Sequence, residues 1–166
     1  MATLCALQLE EIGMTVINWD CYAPKKVWIF FWVLRHGRAR TRALLHRHGA
    51  LDAPDCPFCA GTSETEDYLF AACPRLIPFW ARLLPGRAPP SSAREAVESV
   101  SGLLSGLPPA VAHTGALVVA WVLWKARNKK IFDNACQSTD EMVRHLLAHV
   151  ALWHPALPVA WTSSSP

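Results

Sequence analysis

No unbroken apolar run in this sequence is long enough to cross a membrane. The two most apolar stretches, VWIFFWVL (27–34) and ALVVAWVLW (116–124), fall well short of the roughly 20 residues a bilayer helix needs, so they read as core helices. The N-terminus, MATLCALQLEEIGMTV, lacks a basic leader and carries Glu10 and Glu11 instead. That argues against a secretory signal and for an intracellular protein, nuclear or cytoplasmic. No stretch alternates with strand period for long enough to predict a sheet, and no internal repeat is present. Nor does any nucleophile stand with a base and an orienting partner, so neither catalysis nor a small-molecule substrate is expected. One further absence is local. From Cys21 to Leu51 there is no Asp or Glu, although the stretch holds Lys25, Lys26, Arg35, Arg38, Arg40, Arg42 and Arg47 and the whole chain carries a net charge of only +3. Such a block attracts polyanions.

What is present points to helices. A 166-residue chain that is 52% hydrophobic and holds 8 tryptophans has enough apolar surface for a core. Pro24 suits a helix start, and VWIFFWVL continues that helix as far as Gly37. Thr41 caps a short helix, RALLHRH, that stops at Gly49. Ser63 with Glu66 has the spacing of a capping box for ETEDYLFAAC, and Ser138 with Glu141 has it for a last helix with its apolar stripe at Val143, Leu146, Leu147, Val150 and Trp153. Between them, LIPFWARLL and AREAVESVSGLLSGL read as shorter helices, and Pro108 and Pro109 introduce the longest, AVAHTGALVVAWVLWKARNKKIF. The expected class is all-α. Its expected divisions are an N-terminal segment 1–20, a cysteine-bearing helical unit 21–84, a linker with weak helix 85–107, a helical pair 108–154 and a Pro- and Ser-rich tail 155–166.

Three of the six cysteines fall in CPFCAGTSETEDYLFAAC (56–73). With reduced thiols, a close pair plus a third reads as metal ligation. Cys5, Cys21 and Cys136 have no such neighbours and read as packing or surface thiols.

The stretch APKKVWIFFWVLRHGRARTRALLHRHGALDAPDCPFCAGTSETEDYLFAACPRLIPFW, with WVLWKARNKKIF about forty residues further on, resembles the zinc-binding region that follows the reverse transcriptase in plant LINE-type retrotransposons. The family's Cys-x-x-Cys, Glu-Thr pair, His-Leu-Phe and last Cys fall here on Cys56 and Cys59, Glu64 and Thr65, Tyr68 to Phe70, and Cys73. Its Trp-x-x-Trp-Lys-x-Arg-Asn falls on Trp121, Trp124, Lys125, Arg127 and Asn128. The resemblance implies zinc at Cys56, Cys59 and Cys73, but Tyr68 stands where the family has its histidine ligand. A phenol is a poor substitute for imidazole. Asp67, His46 and His48 are the other candidates for the fourth place. Two readings stay open: three thiolates holding zinc with a weak fourth partner, or three packed thiols. The family's polymerase has no room in this chain, and residues 1–18 match no part of the pattern, so a detached piece of an element is expected.

The functional reading is a zinc-knuckle-like module that binds RNA or single-stranded DNA through its basic segment and has no catalysis of its own. The alternative is a helical interaction module or an inert element remnant. Lys125, Arg127, Lys129 and Lys130 extend the basic surface or simply offset the dipole at a helix end. Trp28 and Trp32, and Trp121 and Trp124, have the spacing of buried faces rather than of stacking platforms. His145 and His149 in HLLAH have a metalloprotease spacing without its glutamate, and they read as the polar edge of the last helix. A thioredoxin-type role for Cys56 and Cys59 lacks the surrounding βαβ pattern.

Overall fold

Pro24, at φ −58°, opens the first helix of the computed structural model, which describes residues 22–153. Helix α1 spans Lys25–Arg35 and gives way at Gly37, whose φ of +63° suits a residue without a Cβ. The Thr41 hydroxyl accepts from the Leu44 N–H at 3.3 Å and starts α2, Arg42–Arg47. A loop then folds back on itself. Asp55 and Ser63 form an antiparallel bridge, with the Cys56 N–H donating to Thr62 O and the Glu64 N–H to Pro54 O, each at 2.8 Å. Cys56 and Cys59 sit within this loop.

The chain next makes a π-helical turn, Tyr68–Ala72, in which the Cys73 N–H reaches back five residues to Tyr68 O at 2.9 Å. A 3₁₀ turn, Pro74–Leu76, leads into α3, Ile77–Leu83. Helix α4, Ala93–Leu103, is capped by Ser92. Helix α5, Pro109–Asp133, ends at Asn134 in the left-handed conformation, φ 49°. Helix α6, Thr139–Trp153, begins with the expected box: the Ser138 N–H donates to the Glu141 carboxylate at 2.7 Å and the Glu141 N–H to the Ser138 hydroxyl at 3.2 Å. All regular elements among the described residues are helical, in line with the all-α expectation.

The Ser63–Glu66 box does not form. Ser63 is held extended by its bridge to Asp55, so the turn starts two residues later, where the Thr65 hydroxyl accepts from the Tyr68 N–H at 3.1 Å. Glu66 is thereby free to accept from the Ala39 N–H at 3.0 Å.

One core runs through both halves of the chain. Leu34, Cys56, Leu69, Phe70, Phe79 and Trp80 meet Val100, Val118, Val122, Leu123 and Leu146 in a single buried cluster. Helix α4, inside the stretch expected to be a linker, contributes Ala96 and Val100 to it. Over its full length α5 has the span and apolarity of a membrane helix, but 61% of that window is buried, mostly by the elements around it. It is the axle of the fold. Gly115 lies where α5 meets α4, and a Cβ there would run into the Leu104 side chain. Leu104 is itself buried. Gly115→Val is therefore expected to lower the unfolding free energy by about 1–3 kcal/mol, read from urea melts, because overpacking forces Leu104 and the α4 backbone to shift.

Candidate functional site

The folded loop and the π-helical turn bring three cysteines from two segments together. The Sγ atoms of Cys56, Cys59 and Cys73 all lie within 4.8 Å of one another, and those of Cys59 and Cys73 are 3.5 Å apart. A tetrahedral zinc with sulfur at about 2.3 Å sets its ligands about 3.8 Å apart, so these thiols match three corners of such a site. Cys56 and Cys73 are buried and Cys59 is half-buried. The Cys73 thiol hydrogen-bonds the Cys56 sulfur and pulls the Cys56 pKa down to about 6, while the same interaction pushes Cys73 up. The pair thus gives up one proton readily and holds the other. A metal bound by both sulfurs would have to displace that second proton.

Tyr68 is half-buried and lies close enough to Cys59 and Cys73 to interact with both. Burial, and then a hydrogen bond from its hydroxyl to the Cys59 sulfur, push its pKa up to about 12. The phenol is therefore a neutral donor towards sulfur and a weak ligand. The other candidates are engaged elsewhere. The Asp67 carboxylate accepts from the Ala93 N–H at 2.8 Å at the start of α4. His46 is exposed, with Nδ1 at 2.9 Å from Leu51 O, and His48 is an exposed residue ending α2. None of the three joins the cysteine cluster. Cys136 is exposed, and Cys5 and Cys21 lie outside the described residues.

The basic segment divides into two groups. Lys25, Lys26, Arg35, Arg38, Arg40 and Arg47 are exposed. Arg42 is half-buried: its backbone N–H donates to Glu64 at 2.9 Å and its guanidinium reaches Ala53 O at 3.3 Å. It supports the loop and does not belong to the solvent-facing set.

Arg127 is where the sequence reading needs correcting. Expected to extend the basic surface or to offset the dipole at a helix end, it is instead 5% exposed in its side chain and paired with the fully buried Glu64 at 2.6 Å. Its Nε also donates to both Glu64 oxygens, its Nη2 to Arg40 O at 3.3 Å, and its guanidinium lies 4.9 Å from the Trp124 ring centre. The signal was present. Arg127 continues the buried row Ala116, Ala120, Leu123 at helical spacing, and a cation on an apolar face requires a buried acid. Around this pair, Phe30 packs against Trp121 and Trp124 with ring centres 5.5 and 5.2 Å away. The cysteine loop is thus fastened to α5 by an ion pair and an aromatic cluster. His145 is exposed and sits 3.0 Å from Gln137, while His149 stacks on Trp153 with ring centres 5.0 Å apart.

Residues 4–80, somewhat under half of the chain, match the family model described as zinc-binding in reverse transcriptase. The match begins inside the N-terminal segment that was expected to fall outside the pattern, and it ends before Trp121–Asn128. No curated protein and no solved structure matches the chain.

Proposed function

We propose, from the match of residues 4–80 to the family model described as zinc-binding in reverse transcriptase, that this protein is a retroelement-derived module of LINE type that binds RNA or single-stranded DNA through its basic segment. In this reading Cys56, Cys59 and Cys73 hold a structural zinc that stiffens the loop beside the contact surface, and the chain has no catalysis of its own. Zinc would supply cross-linking only. The residues do the rest: Glu64 and Arg127 fix the loop to α5, and the exposed cations face the phosphates.

The observation that carries the proposal is the exposure of Lys25, Lys26, Arg35, Arg38, Arg40 and Arg47 in a stretch that contains no acid. No carboxylate from the same stretch neutralises them, so their field is available to a polyanion. If about four of them meet phosphates, log affinity falls with log salt at a slope of about −2.8, at roughly −0.7 per contact for a single strand. Reversing Arg38, Arg40 and Arg47 to glutamate should abolish binding of a labelled single-stranded RNA in a fluorescence anisotropy titration. Arg42 is left intact because its loss would disturb the fold. Unchanged binding by the triple variant, with its melting curve intact, would overturn this assignment.

A further inference from the structure

A groove of about 500 Å³ lies between α5 and α6, away from the cysteine cluster. One wall is a single face of α5, where Lys125, Lys129 and Phe132 follow at four- and three-residue spacing and so point the same way. Trp121 continues that wall inward, and His145 and His149 of α6 face it. Phe132 is 78% exposed, the most exposed of the large hydrophobic side chains among the described residues. An apolar ring left in water at the rim of a groove, with two exposed lysines on the same face, is an unusual arrangement for a side chain with only a packing role. Asp133 is the acid on the lining, and Glu141 lies close enough to Lys129 to interact with it. Against these two stand Lys125 and Lys129, with Lys26 close by. The His149 pKa is depressed by burial first, and then by the positive charges of Lys125, His145 and Lys26. The cationic field therefore reaches into the groove, and Lys26 joins it to the exposed cations of the basic segment.

The geometry points to this groove as a second contact for single-stranded nucleic acid, with one base stacked on Phe132 and the adjoining phosphates on Lys125 and Lys129. The inference rests on the nucleic-acid reading above and extends it to a site outside the segment that carries it. Aromatic faces bind any base, and flanking lysines bind the backbone, so the contact is tolerant of sequence. A single strand supplies both a base for the ring and phosphates for the lysines.

The test uses the full chain and a fluorescein-labelled oligouridylate. Phe132→Ala should weaken binding about tenfold and leave the salt slope unchanged, because stacking releases no counterions. The double variant Lys125→Gln, Lys129→Gln should also weaken binding and reduce the magnitude of the slope by about 1.4, two contacts at roughly 0.7 each. Both changes are at exposed positions, and melting curves should match the parent. If both variants bind as the parent does while the Arg38, Arg40, Arg47 reversal abolishes binding, the groove is not used and only this inference falls. If the parent binds no RNA even at low salt, the proposed function falls and this site with it. If the variants instead lower the melting temperature and leave binding untouched, the groove is covered by the protein's own residues, and that too overturns the assignment.

Discussion

Glu64→Ala is expected to destabilise the protein by about 3–5 kcal/mol, because it strands the Arg127 guanidinium in the core with no counter-charge. The wild-type carboxylate accepts from Arg127 at 2.6 Å and from the Arg42 backbone at 2.9 Å, and its side chain is wholly buried. Total stabilities of domains this size are about 5–15 kcal/mol, so a loss of this order lowers the melting temperature by about 10–20 °C or prevents folding. The double change Glu64→Leu, Arg127→Met should recover much of the loss, since it removes both charges and keeps the volume. Thermal melts of the three proteins, made with a chelator present, separate this effect from any metal. A Glu64→Ala variant that melts with the parent would show that the pair is not buried in solution.

Tyr68→His is expected to convert a weak metal site into a closed one. The phenol interacts with Cys59, one of three thiols that lie within 4.8 Å of one another. An imidazole placed there supplies a neutral nitrogen with a zinc bond of about 2.0–2.1 Å. The variant should bind one zinc per chain and gain about 4 kcal/mol when free zinc is a thousandfold above its Kd, since a ligand that binds only the folded state stabilises it by mass action. The parent should gain less at the same zinc concentration. Melting curves with zinc and with chelator, for both proteins, make the comparison. Equal gains would mean that a water or another residue already completes the parent's site. No gain in either would leave the three cysteines as packing residues.

Much of the helical frame was legible because its signals are local. Pro24, Gly37, Thr41, Gly49 and the Ser138–Glu141 box each act within a few residues of themselves, and each does what its position predicts. The Ser63–Glu66 box had the same spacing and failed because Ser63 was claimed by Asp55, a contact that only the folded loop creates. The cysteine cluster could be read from spacing, since loop and turn are adjacent in the chain. Its tie to α5 could not: Glu64 and Arg127 are sixty-three residues apart, and nothing near either residue names the other. For the same reason Asp67 looked available to a metal until α4 was seen to take it as a cap.

The π-helical turn at Tyr68–Ala72 sets how far apart in sequence two side chains of this segment can stand and still share a face. Because the Cys73 N–H bonds back to Tyr68 O, the turn is one residue wider than an α-helical one, and position 68 and Cys73 both face the cluster. In a regular α-helix five residues turn through about 500°, which would set the two about 140° apart on the helix surface. Deleting one residue between them would relax the turn to the regular form, where four residues turn through about 400° and the two positions again share a face, so the wide turn is what the five-residue spacing requires.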